Sequence, residues 1–378
     1  MVLTIGKGDY MAYISSVAKG VPKHCINQAD VKEFMYKHFS NKDPRMTRYL
    51  SVYDHAKIDQ RQFVCPLEWY ECQSSFEESN QIYMEKGLEL SLQAIDECIH
   101  NFSNINKHSE SLSYEDIDKI VFVSSTGIAT PSLDAHLINH RPFRNDVVRM
   151  PLWGLGCGGG AMGLARAFDY LKAHQSKTVL VICCELTSLT FQSEDTSPNN
   201  IVGTALFGDG VSATLLHGRM NKYVPYLGEY ALRIERSHSY IKKHSIDVMG
   251  WDLRKTGLHV IFSKQIPKLI ESVWKQHVEL FLEEVNLTMD QIHTFIAHPG
   301  GRKVLEEMER VCRIPYEKLS YSYNVLQHHG NMSSVTVMYV LKKWLENNKR
   351  EKHEVYSLLS ALGPGFSSEL LLLKWVKL

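Results

Sequence analysis

Short apolar runs rich in β-branched residues alternate along the chain with stretches whose apolar positions recur every three or four residues. Lys119–Ser124 (KIVFVS), Thr178–Cys184 (TVLVICC), Thr294–His298 (TFIAH) and Tyr356–Leu362 (YSLLSAL) have strand length and little internal polarity, which predicts strands buried on both faces. Ala161–His174 places Met162, Ala165, Phe168 and Leu171 on one face and Arg166, Asp169 and Lys172 on the other, which predicts a helix. Ile266–Phe281 aligns Leu269, Ile270, Val273, Val278 and Phe281, with Pro267 suited to the first turn. The alternation implies an α/β layered protein. Asn104–Tyr114 and Gln192–Asn200 read as surface loops. His217–Tyr223 reads as a break between two halves of similar size, 11–217 and 224–378, each with strand–helix alternation. No repeat is visible residue by residue.

Composition narrows the classes. With 378 residues and 44% hydrophobic positions the chain can bury a large core. Its 42 basic residues balance 42 acidic ones, without a basic block, so nothing electrostatic points to a nucleic-acid partner. Eight cysteines lie scattered without metal-ligand spacing, as reduced thiols in a cytosolic protein would. The first residues have neither the basic start nor the apolar stretch of a signal peptide, and runs such as Val179–Cys184 and Leu370–Leu373 are too short to span a membrane. The expectation is a soluble, cytoplasmic protein with no transmembrane segment.

Three segments can carry chemistry. Gly154-Leu-Gly-Cys157-Gly-Gly-Gly160 runs directly into the helix predicted from Ala161. A cysteine at a helix N-terminus meets unpaired N–H groups and the positive end of the helix dipole, and both favour thiolate. A buried cysteine in a tight turn is the alternative. Ile296-Ala-His298-Pro-Gly-Gly301 puts an imidazole at the C-terminal end of a strand, where α/β sites gather. His329-Gly-Asn331-Met-Ser-Ser334 leads into a helix over Ser333–Leu345, where Asn331 could equally be a cap. Together they fit acyl transfer by a thiolate: histidine can hold the thiol proton, and neutral imidazole and carboxamide donors can stabilise an oxyanion. A papain-like hydrolase would satisfy the same chemistry, although its local cysteine signature is absent.

The segments GLGCGGG, CELTSLTFQ, NIVGTALFGDG, IAHPGG, HGNMSS and ALGPGFSSE resemble, in order and spacing, those of the chalcone synthase-like family. RQFVCPLEWY and SFEESNQIY are most similar to the Bacillus-type members, which are associated with long-chain acyl starters and alkylpyrone products. The resemblance begins near Met11, so residues 1–10 read as an N-terminal extension. It implies a type III polyketide synthase of the thiolase fold, a duplicated αβαβα sandwich, usually a homodimer. It also implies acyl-CoA and malonyl-CoA as substrates, with neither cofactor nor metal. Cys157 would be acylated by the starter, and His298 and Asn331 would hold the malonyl thioester and stabilise the enolate formed on decarboxylation. Phe207 would be the aromatic gate between CoA tunnel and cavity, and Gly363-Pro-Gly365-Phe366 the loop lining the site. Asp209, between glycines, is expected as a turn residue rather than an acid.

Departures from the family pattern carry information. Gly257-Leu-His-Val260 stands where plant members carry a second gate phenylalanine, so Val260 should widen the cavity or open a route for an alkyl chain. Thr130 stands where many plant enzymes place a methionine at the dimer contact. Thr187, Thr190 and Ser333 match pocket positions, giving part of the wall a hydroxyl character. These features favour a fatty acyl starter over a phenylpropanoid one. Lys57 and Arg61 lie where family members bind the CoA phosphates, although two basic residues four apart are also an ordinary solvated pair. The rival readings are a ketoacyl-ACP synthase III, performing one condensation, and a non-catalytic thiolase-fold subunit.

Overall fold

The structure is a computed structural model that describes residues 11–42, 46–72, 74–105, 111–348 and 355–378. The extension expected over 1–10 lies outside them, as do residues 106–110 of the loop expected over Asn104–Tyr114.

Thirteen strands run through the described residues: β1 (Ala12–Gly20), β2 (His24–Asn27), β3 (Gln60–Phe63), β4 (Lys119–Ser124), β5 (Val148–Trp153), β6 (Thr178–Leu186), β7 (Asp209–Gly218), β8 (Tyr230–Ser245), β9 (Met249–Arg254), β10 (Gly257–Phe262), β11 (Ile292–Ala297), β12 (Tyr356–Gly363) and β13 (Gly365–Lys377). Nine of them hydrogen-bond in the order β11-β12-β13-β8-β1-β7-β6-β4-β5. The duplication invisible in the sequence is plain in this topology. From β1 outward the pairings with β7, β6 and β4 run antiparallel, antiparallel, parallel. From β8 outward those with β13, β12 and β11 repeat the same succession. The two sets meet where Ala12–Ile14 of β1 pairs with β8.

The layers follow from the period-2 geometry of the apolar strands. In β4, Ile120 and Phe122 enter one core cluster, while Val121 and Val123 enter another. β13 divides its leucines likewise, Leu371 and Leu373 inward and Leu370 and Leu372 outward. The middle cluster holds Leu164 and Phe168 of the helix Gly159–Ala173 together with Val337 and Leu341 of the helix Ser334–Asn348. One outer cluster is closed by Tyr83, Ala94 and Cys98 of the helix Phe76–Ile105, the other by Trp274, Val278 and Phe281. The result is five layers, αβαβα. The two central helices cross so closely that a Cβ on Gly160 would lie 2.3 Å from the Ser334 carbonyl oxygen. Only glycine fits there.

Three sequence expectations change. The helix expected over Ile266–Phe281 is interrupted by a π turn at Ile270–Trp274, which lets the buried Trp274 indole donate to Ser360 Oγ at 2.7 Å. Gln192–Asn200 is a surface loop only in part, with Glu194 and Pro198 exposed. Gln192, Ser193 and Asn200 are buried, because the Asn200 amide donates to the Gln192 and Asp195 carbonyls and a helix starts at Pro198. The break expected from His217 begins two residues later, since β7 runs to Gly218 and buries His217 against Thr178.

Candidate active site

Cys157 sits in a 3-10 turn, Gly156–Gly158, between β5 and the helix Gly159–Ala173. Asn331 occupies the matching place in the second half, three residues before the helix Ser334–Asn348. Because those helices cross at Gly160 and Ser334, the duplicated fold brings their N-terminal ends together. Each atom of the Asn331 carboxamide, Nδ2 and Oδ1, lies 3.9 Å from Cys157 Sγ. Oδ1 accepts the Ser333 N–H at 2.8 Å and Nδ2 donates to the Gly300 carbonyl at 3.1 Å, which orients the amide. Asn331 therefore also serves the turn before the helix, and the cap reading and the site reading are both realised.

His298 follows β11 and is pinned by its own N–H, which donates to Ser360 O at 2.8 Å. Only 2% of it is exposed, and neither ring nitrogen has a hydrogen-bond partner among the described residues. Two buried, unpaired imidazole nitrogens are costly in a resting fold and are available to a ligand. The Gly300 carbonyl that receives Asn331 Nδ2 ties the His298 turn to the Asn331 turn. On the other side, Pro364 packs against Gly156, whose φ of +48° and proximity to the proline ring leave no room for a side chain.

Burial sets the protonation states. It pushes the Cys157 thiol up to about 11, against the hydrogen bonds from Asn331 and Ser333, and the Glu185 charge adds to the rise. Desolvation therefore opposes the lowering expected from the helix N-terminus. Burial also pushes His298 down to about 3. Thiol and imidazole are both neutral near pH 7.

The assigned wall residues divide into groups. Thr187, Thr190, Phe207 and Val260 line one small apolar pocket, together with Val31, Phe34, Leu67 and Phe191. Phe207 is its inner wall, with its ring 5.7 Å from Trp251 and 5.6 Å from Phe262. Trp251 and Val260 are paired positions of the β9–β10 hairpin. Ser333, at φ +49°, lies beside Asn331 and Cys157 rather than in that cavity. Gly365 is beside Ile241. Phe366 is fully buried in the cluster of Trp274 and Phe281. Thr130 is exposed, away from this chain's own cavity lining. Asp209 does not form a turn; it opens β7 fully buried, accepting Val64 N–H, Ser188 N–H and Ser188 Oγ.

The two cations separate. Lys57 is exposed at the left-handed end of a short helix, beside a surface hollow shared with Lys32, Asp54 and Asp59. Arg61 is fully buried and bonds only to protein acceptors, so a phosphate cannot reach it. Its assignment to CoA is withdrawn.

Glu185 escaped the sequence reading, although a charge inside the apolar run of β6 was the available signal. It is fully buried, accepts from Ser125 N–H and Oγ at 3.0 Å and from Ser334 Oγ at 2.7 Å, and is pushed up to about 7 by burial. Among the described residues no cluster of three metal-ligating side chains occurs, and no helix is long and apolar enough to cross a membrane.

This geometry meets its match in known proteins. The family model for the N-terminal domain of chalcone and stilbene synthases matches residues 5–219, and that for the C-terminal domain matches 236–377. The chain belongs to the chalcone and stilbene synthase family. It is an acyltransferase of the type III polyketide synthase class with the thiolase fold. A Bacillus subtilis (strain 168) protein carrying a provisional chalcone synthase name is 45% identical over 97% of this chain and 100% of its own length. The 1,3,6,8-tetrahydroxynaphthalene synthase of Streptomyces peucetius is 32% identical over 96% and 93%. The crystal structure of the Streptomyces coelicolor enzyme of that name superposes with a TM-score of 0.86 at 26% identity, covering 97% of this chain and 100% of that one.

Proposed function

We propose that this type III polyketide synthase loads a long-chain fatty acyl group from CoA onto Cys157 and extends it iteratively with malonyl-CoA to alkylpyrones. The observation that carries the reading is the Asn331 carboxamide 3.9 Å from Cys157 Sγ, tied through Gly300 to a histidine whose ring nitrogens are unpaired. The thiol gives its proton to His298 as Sγ attacks the starter thioester, and the CoA thiolate leaves with that proton. Malonyl-CoA then places its thioester oxygen between His298 and Asn331, which stabilise the enolate as CO₂ departs. The enolate carbon attacks the acyl group on Cys157, releases the cysteine thiolate, and yields a β-ketoacyl-CoA two carbons longer. After two rounds the enol oxygen of the triketide can attack its own thioester carbonyl, closing a pyrone and expelling CoA.

The apolar lining of the pocket shared by Phe207 and Val260 supports the fatty starter. Lys57 is the remaining candidate for the CoA phosphates, and Thr130 for a contact across a homodimer. The experiment is mass spectrometry of products from C4 to C18 acyl-CoAs and 4-coumaroyl-CoA, each with malonyl-CoA. Alkylpyrones with a preference for long chains are the expected result. Preference for the aromatic starter overturns the substrate assignment, and a single β-ketoacyl product overturns iteration. Undiminished condensation by Cys157→Ala overturns the nucleophile.

A further inference from the structure

We propose that Arg61 is a positioning residue that sets the Phe207 gate and the Asn331 carboxamide in register. The proposal rests on the condensing-enzyme reading above for its consequence, but its physical basis is independent of substrate.

Arg61 is 0% exposed, and its two terminal nitrogens are matched by acceptors while Nε has no partner among the described residues. Nη1 donates to the Thr204 carbonyl at 2.5 Å and the Phe207 carbonyl at 2.8 Å, and Nη2 donates to Gln28 Oε1. Those carbonyls belong to the last turn of the helix Pro198–Leu206 and the residue after it, the negative end of the helix dipole. Gln28 completes the clamp, since its Nε2 donates to the Ala205 carbonyl at 3.0 Å.

The segment so gripped is hydrogen-bonded to the one that carries Asn331. Asn331 N–H donates to the Leu206 carbonyl at 2.8 Å, and Gly208 N–H donates to the Asn331 carbonyl at 3.0 Å, a parallel bridge outside every named strand. Arg61 also fills the space under that bridge. A Cβ on Gly330 would lie 2.7 Å from Arg61 Cδ, and one on Gly208 would lie 3.4 Å from Arg61 Cβ. One side chain therefore fixes Phe207 through its carbonyl and Asn331 through the residues on either side. Lysine cannot reproduce this, because a single ammonium lacks the planar fork that spans two carbonyls and a carboxamide.

The test compares wild type, Arg61→Lys and Gln28→Met. Hydrogen exchange read by mass spectrometry needs no substrate: exchange at Gly208 and Asn331 is expected to be about tenfold faster in Arg61→Lys, with β11 unchanged. In the condensation assay, turnover per alkylatable Cys157 is expected to fall about tenfold or more, with starter KM within about threefold and a changed ratio of extension products. Gln28→Met, which leaves the arginine in place, is expected to shift both readouts in the same direction by less and covers the case in which Arg61→Lys does not fold. Unchanged exchange at Gly208 and Asn331 in the folded variants, or an unchanged product ratio and turnover, overturns the proposal. A wild type unable to condense malonyl-CoA overturns the functional reading alone, because the exchange result still decides whether Arg61 positions Asn331.

Discussion

Ser334 Oγ donates to the Glu185 carboxylate at 2.7 Å, joining the C-terminal end of β6 in one half to the first turn of the helix that follows Asn331 in the other. A carboxyl group spans the junction of the duplicated halves, and its charge helps to raise the pKa of the Cys157 thiol.

That carboxyl is pushed up to about 7 from 4.5 by burial. Between those values the folded chain keeps a proton that the unfolded chain has lost, so stability falls as pH rises from about 4.5 to about 7 and levels off above. Glu185→Gln removes this contribution. The melting temperature of wild type relative to Glu185→Gln should therefore decline across that window. A difference independent of pH would show that Glu185 is charged throughout.

The neutral Cys157 thiol makes a kinetic prediction. With its pKa near 11, alkylation by iodoacetamide should be slow at pH 7 and rise about tenfold per pH unit toward alkaline conditions. Peptide mass spectrometry of Cys157 at pH 6 to 10 measures this. A fast rate that is flat from pH 6 would mean a resting thiolate–imidazolium pair.

Val260→Phe restores an aromatic at the cavity wall, where the Val260 Cγ1 methyl already lies 3.1 Å from the place a Gly203 Cβ would occupy. The side chain must then project into the space lined by Phe34, Phe191 and Phe207. The ratio of kcat/KM for a C16 starter over a C6 starter should drop about tenfold or more, a loss of roughly 1.4 kcal/mol in discrimination. An unaltered ratio would place the acyl chain elsewhere.

Gly160→Ala puts a methyl group 2.3 Å from the Ser334 carbonyl oxygen and 2.7 Å from Val337 Cγ1. Overpacking of this kind costs about 1–3 kcal/mol, and the crossing of the central helices must widen. Denaturant unfolding should show the loss of stability. Condensation should fall too, because the same crossing sets Asn331 against Cys157.

Much of this was legible in the chain. Apolar runs of strand length placed β4, β6, β11 and β12 within about two residues of their observed ends, because a strand buried on both faces has no reason to carry polar positions. Gly156 and Gly330 flagged their turns because both adopt positive φ. Arg61 was misplaced for a physical reason. A basic residue near a phosphate-binding region looks the same in sequence whether its acceptors are phosphates or the carbonyls of a helix end 143 residues away.

By itself the sequence determined the α/β class, four of the thirteen strands and the three reactive residue types, all consequences of local periodicity and local turn chemistry. Tertiary structure alone decided that Cys157 and Asn331 meet, that both the thiol and His298 are neutral, and that Arg61 holds carbonyls rather than ligand. Each of these depends on burial and on contacts between segments well over a hundred residues apart. Desolvation and long-range hydrogen bonding have no local signature in a sequence.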